Sequence, residues 1–226
     1  MRKFFLIIYM GFSANCLVGQ QRPSEGWWTA IVLPVKFSSH WQWHNDAGYR
    51  TLGNSIRPLQ YLYRTGARYT MNEHWSAAAG VAFFFTKTDF VPSHHEFGKE
   101  FRFWEEAACQ HPLYKSLSAL FRVRAEQRFF AATNLKNKYT GYRFRIRPGL
   151  NQRINNKWSL QLTDEYMRQI ANNKFSFDQN RLTVSGIYQL KKSTQLQAGY
   201  MWLKWPTTDQ HILSFTFTKT ISVHGN

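Results

Sequence analysis

Residues 118–130 and 142–153 alternate apolar and polar side chains with a period of two. In the first stretch Ala119, Phe121, Val123, Ala125 and Phe129 share one face, and Arg122, Arg124, Glu126 and Arg128 the other. In the second, Tyr142, Phe144, Ile146, Pro148 and Leu150 oppose Arg143, Arg145, Arg147, Asn151 and Arg153. A period of two is that of a β-strand, so each stretch predicts a strand with one greasy face and one arginine face.

The same pattern recurs along the chain. Residues 27–37, 40–51, 57–71, 74–87 and 98–111 precede these two strands, and 157–170, 177–190, 194–204 and 209–221 follow them. Eleven runs result, most of them 11–16 residues long. Soluble strands average about 5–6 residues, whereas a tilted strand crossing a bilayer core needs roughly 9–11. Length therefore favours a transmembrane barrel over a soluble sandwich. The links point the same way. Residues 38–39, 72–73, 112–114, 155–156 and 191–193 read as tight turns, and 88–97, 131–138 and 171–176 as longer polar loops. Short turns at one end and loops at the other describe an outer-membrane barrel. The expected fold is an all-β, antiparallel up-and-down transmembrane barrel of 10–12 strands. Bacterial barrels normally carry even strand numbers. Either 27–37, with Pro34 inside it, is not a full strand and the count is ten, or the leader 21–26 adds one and the count is twelve.

Composition decides which face points where. Aromatics are 17% of the chain, yet mean hydropathy is −0.47, as expected when lipid-facing and interior residues alternate and cancel. Trp41, Trp43, Trp75, Trp158, Trp202 and Trp205 lie toward strand ends, as interfacial girdles do. Most proteins turn the apolar face of a strand inward. Long strands, terminal aromatics and an export signal together predict the reverse here.

That signal occupies residues 1–19. Arg2 and Lys3 precede a short apolar run, 4–12, and a small-residue segment, 13–19. The run is too short to span a membrane as a helix, so it reads as a cleaved secretory signal. The Ser-Ala-Asn-Cys16 box only faintly resembles a lipidation signal, because Asn15 is a poor residue there. Cleavage leaves residues 20–226 as a single domain with Cys109 as its sole cysteine and hence no internal disulfide. The formal charge of +16 falls to +14. Nucleic acid is not the implied partner, since the arginines alternate within strands of an exported chain instead of forming an exposed stripe.

With polar faces inward, the interior set is Arg64, Arg68, Glu100, Arg102, Arg122, Arg124, Glu126, Arg128, Arg143, Arg145, Arg147, Glu165, Gln179 and Arg181. Glu106 adds a carboxylate, and Asp46 is a further candidate. This set predicts a hydrogen-bonded polar network with arginine in excess, open to a small anionic solute. The outer surface would meet outer-membrane lipid and lipopolysaccharide. Nothing suggests an enzyme strongly. His44 and Asp46 share a face, and His94-His95 lie in a loop near Glu96, but no nucleophile elbow, phosphate loop, zinc pattern or cofactor motif is present. The expected role is a structural barrel or a small anion-preferring pore or binding protein. The alternative is an outer-membrane enzyme acting on lipid or lipopolysaccharide.

The runs 122–128 (RVRAEQR), 142–147 (YRFRIR) and 177–182 (FDQNRL), with 41–46 (WQWHND), Arg50 and 100–104 (EFRFW), resemble domain-of-unknown-function family 2490. The resemblance spans nearly all of the chain after the signal and implies a Gram-negative outer-membrane β-barrel; it implies no activity. One departure is the C-terminus. Outer-membrane chains usually end on an aromatic, whereas here Phe215 and Phe217 are followed by Ile221 and five more residues.

Overall fold

A strand with one polar and one apolar face must hide one of them, and here eleven such strands do so by closing on themselves. The structure, a computed structural model, describes residues 24–51, 53, 55–88, 96–134 and 136–223. The expected signal 1–19 with its Cys16, and His94-His95, lie outside the described residues. The elements are β1 (Ser24–Val32), β2 (Val35–Lys36), β3 (Trp41–Thr51), β4 (Pro58–Thr70), β5 (Trp75–Lys87), β6 (Phe97–Tyr114) and β7 (Leu117–Phe130). They continue as β8 (Tyr139–Arg153), β9 (Trp158–Ala171), β10 (Lys174–Lys191), β11 (Thr194–Lys204), β12 (Asp209–Lys219) and β13 (Ile221–Ser222). No helix occurs among the described residues.

From β3 to β12 each strand pairs antiparallel with the next, and β1 then fits between β12 and β3 to close the sheet. Closure leaves no unpaired long edge. The barrel therefore has eleven long strands, neither ten nor twelve. An odd number forces two neighbours to run the same way, so the barrel is not antiparallel throughout. β1 and β12 are parallel, with Trp27 beside Leu213, Thr29 beside Phe215 and Ile31 beside Phe217. Pro34 interrupts the first strand without ending the seam. Its carbonyl accepts from the Ile221 N–H at 2.8 Å, and β2 then pairs parallel with β13. The predicted leader contributes no separate strand, since Ser24–Gly26 already belong to β1.

The connections also differ in part from expectation. One end of the barrel carries links of two to four residues throughout. The opposite end carries 52–57, 88–96 and 131–138, but the link expected at 171–176 is a two-residue turn. Asn172 and Asn173 take φ of 50° and 59°, the twist that a primed hairpin turn needs and asparagine tolerates. Residues 112–114 are not a turn. They end β6, and the turn is Lys115–Ser116.

The faces are inverted relative to a soluble barrel. On β8, Arg143 and Arg145 are 5% and 7% exposed, whereas Phe144 and Ile146 between them are 46% and 48%. Aromatic and aliphatic side chains cover the outside, among them Trp27, Trp41, Trp43, Trp75 and Trp158. Trp205 departs from its expected girdle position. It lines the inner cavity and donates to Gln210 Oε1 at 3.2 Å.

A small apolar cluster of Leu62, Ala78, Ala82, Phe84 and Trp104 fills the interior beside β4–β6. It exists because Gly66 and Gly80 pair across β4 and β5. A Cβ on either would come within 2.8 Å of the Trp104 ring, so the two glycines form the floor on which that indole rests.

Candidate functional site

Inward-pointing residues of β3, β4 and β6–β10 meet in one interior. On β6 and β7, Glu106 lies across from Arg124 and Glu126 from Trp104, so carboxylates and guanidiniums stagger up the wall. Glu106 accepts from Arg124 Nη2 at 2.6 Å and from Arg68 Nη2 at 2.9 Å. Glu126 accepts from Arg145 Nη1 at 2.7 Å and Arg102 Nη1 at 3.0 Å. Arg102 also grips Glu100 with Nε and Nη2 at 2.7 and 2.8 Å, and Arg128 reaches the same carboxylate at 2.5 Å. Glu165 takes Arg145 and Arg122, at 2.8 and 2.5 Å. Every one of these four glutamates bridges at least two arginines. They join into a single net, in which the planar guanidinium fork allows one arginine to serve two carboxylates.

The fourteen residues predicted for the interior all point inward, although they do not all enter that net. Arg64 forms its own pair with Asp46, using both Nε and Nη2. Arg147 donates to Thr163 Oγ1, at 3.3 Å, and has no carboxylate at hydrogen-bonding distance among the described residues. Gln179 accepts from Arg181 Nε at 2.9 Å.

Three contributors lay outside the predicted set. Asp178 pairs with Arg143 Nε at 2.8 Å. Strict alternation turns Asp178 outward, but a bulge between Phe177 and Gln179 brings Asp178 and Gln179 inward together. Arg50 was legible, since it has the parity of Asp46 on the same strand. It donates to Gln60 Oε1 at 2.7 Å and lies over the Trp28 ring at 3.8 Å. Trp28 is the third. Its indole carries no charge and sits beside outward-facing Trp27, so charge counting passed over it.

Aromatic rings carry several of the cations. Arg102 sits 3.6 Å above Phe84, Arg124 4.9 Å from Trp104 and Arg128 4.7 Å from Phe130. Stacking covers the apolar face of a guanidinium while leaving its in-plane N–H groups available.

A cavity of about 860 Å³ runs beside the net and reaches the long-loop end at Lys87, Thr88, Thr133 and Lys136. Its two sides differ. One is charged; the other, from β11, β12 and β1, presents Ala30, Val32, Gln197, Met201, Ser214 and Thr216. Eleven arginines line the cavity against the carboxylates of Asp46, Glu100, Glu106, Glu165 and Asp178, with Glu126 buried in the net behind them. Positive charge is in surplus.

His44 Nε2 lies 3.6 Å from Asp46 Oδ2, but Asp46 is already gripped by Arg64. Among the described residues, none donates or accepts a hydroxyl or thiol hydrogen bond at His44, and no three of His, Cys, Asp and Glu cluster as metal ligands. The arrangement holds an excess of positive charge along the cavity.

No curated protein matches the chain. A family model described as protein of unknown function (DUF2490) matches residues 25–210. That span includes every residue of the network and the barrel from β1 to β11, stopping two residues into β12, and the chain belongs to this family.

Proposed function

We propose that this chain is a non-enzymatic outer-membrane β-barrel, exported through a cleaved signal at residues 1–19, whose interior admits or holds small anions. The observation that carries the reading is the inversion of faces. Apolar side chains cover the outside of strands 9–18 residues long, apart from the short β2 and β13, while arginine exceeds carboxylate within. A soluble barrel with this exterior would present a continuous apolar surface to water, far beyond the few hundred Å² that soluble proteins tolerate. A lipid bilayer removes that cost, and its core suits strands of this length. Lipid and lipopolysaccharide are then the partners of the outer face. Inside, a surplus of fixed cations draws anions and repels cations, as rings of arginine or lysine do in anion-selective pores.

Cell fractionation with the full chain, followed by planar-bilayer recording, tests both parts. The expected result is an outer-membrane protein whose folded and boiled forms migrate differently in denaturing gels. Its reversal potential under a salt gradient should have the anion-selective sign. Recovery in the soluble periplasmic fraction would sink the membrane reading.

A further inference from the structure

The surplus charge is not spread evenly. Most interior arginines have a carboxylate at hydrogen-bonding distance, and two that do not meet at one place. Arg50 has no carboxylate within ion-pair reach among the described residues; its Nη1 is held by the neutral Gln60. Among the described residues, Arg181 has one carboxylate within ion-pair reach, Glu165 at 3.7 Å. Glu165 is already occupied by Arg145 and Arg122 at 2.5–3.1 Å, which leaves Arg181 beyond hydrogen-bonding distance. These two cations come from β3 and β10, strands separated by β1, β11 and β12. Both nevertheless lie against the same indole, Trp28, at 3.8 and 5.0 Å from the ring centroid. Like charges brought together repel unless a counter-charge sits between them.

We propose that Arg50 and Arg181, held on Trp28, form a discrete subsite for a carboxylate- or phosphate-bearing ligand inside the barrel. This deepens the reading of an anion-holding interior and rests on it. Trp28 braces both guanidiniums, and the in-plane N–H groups not taken by Gln60 and Gln179 face no carboxylate at hydrogen-bonding distance among the described residues. Gln60 and Gln179 fix the orientation of each fork through neutral acceptors, which leaves its charge uncancelled. The subsite lines the cavity that opens at the long-loop end, so a ligand can enter from that side. Its oxyanion can come from a free solute or from a lipid headgroup.

Titration calorimetry of the full chain, folded in detergent, tests the subsite with two probes: inorganic phosphate and a short-chain phosphatidic acid. Saturable one-site binding of phosphate is expected, weakened at least tenfold by Arg50→Gln and by Arg181→Gln and unchanged by Lys192→Gln at an exposed turn. Arg181→Lys, which keeps the charge but not the fork, should bind with intermediate strength. Heat-modifiable migration of each variant establishes that it has folded. Binding of the phosphatidic acid alone, with the same arginine dependence, supports the subsite and identifies a headgroup as the source. Absence of saturable binding, or binding indifferent to both arginines, overturns it. An anion-selective wild type without saturable binding overturns the subsite alone. Loss of anion selectivity as well takes the broader reading with it.

Discussion

Arg143 and Asp178 are joined at 2.8 Å across the width of β9, although they sit on β8 and β10. The bulge at Phe177/Gln179 makes this reach available, because it turns Asp178 into the interior next to Gln179. Both partners are about 5% exposed. Removing one carboxylate from such a pair strands a buried cation, at a typical cost of about 3–5 kcal/mol. Asp178→Asn is therefore expected to lower the urea midpoint of the folded barrel substantially. The remaining acidic neighbour of Arg143, Glu126, is 3.9 Å away and committed to Arg102 and Arg145. Adding Arg143→Gln should recover part of the loss, since the double variant leaves no unpaired charge. A urea titration of the two single variants and the double variant measures this coupling, and purely additive effects would count against it.

Gly80 makes a second, sharper expectation. A Cβ there would fall 2.1 Å from the Thr65 carbonyl oxygen and 2.7 Å from Trp104 Cζ2. Backbone cannot yield as a flexible side chain does, so Gly80→Ala should prevent the folded, fast-migrating form from accumulating. Gly186 is the control, because its nearest neighbour would be 3.9 Å away at Trp158. Gly186→Ala is expected to fold normally. Equal behaviour of the two variants in a heat-modifiability gel would show that the indole does not rest on this glycine floor.

The tight turn of β9 and β10 gives a third. Asn172 and Asn173 both hold positive φ, where a branched side chain is strained by roughly 1–2 kcal/mol per residue. Asn173→Val should destabilise the barrel by about that amount, and Asn173→Gly should be neutral or mildly stabilising. Refolding yields and urea midpoints of the two variants test the order.

These residues also show what alternation carries and what it loses. Arg122, Arg124, Arg143 and Arg145 were placed correctly because a period of two leaves a strand residue only two faces. The inversion of the faces was expected from long strands, terminal aromatics and the export signal read together. Asp178 was lost because one inserted residue resets the parity, and nothing in the local composition announces the bulge. The turn at 172–173 was hidden for a related reason: Lys174 and Ser176 are polar, so the start of β10 reads as loop until its partners on β9 are known. Pairing between chain ends is least legible of all. The alternation of short and long links makes the runs at 27–37 and 209–221 point the same way, but the expectation of an even strand number turned that into a count of ten or twelve instead of a parallel seam.

The parallel seam can be tested directly. Thr29 and Phe215 are register partners on β1 and β12, and neighbouring strands lie close enough for a disulfide, whose Cα atoms are about 4.4–6.8 Å apart. In a Cys109→Ala background, Thr29→Cys with Phe215→Cys should cross-link under mild oxidation. The cross-link would close a large covalent loop visible as altered migration after boiling. Ile31→Cys with Leu213→Cys is the mismatched control, since Ile31 pairs with Phe217 and Leu213 with Trp27. It should remain reduced under the same conditions. A ten-strand barrel that left β1 outside the wall would give neither cross-link, and an antiparallel closure would bring together a different set of positions. Efficient cross-linking of the matched pair alone therefore requires eleven strands closed by a parallel seam.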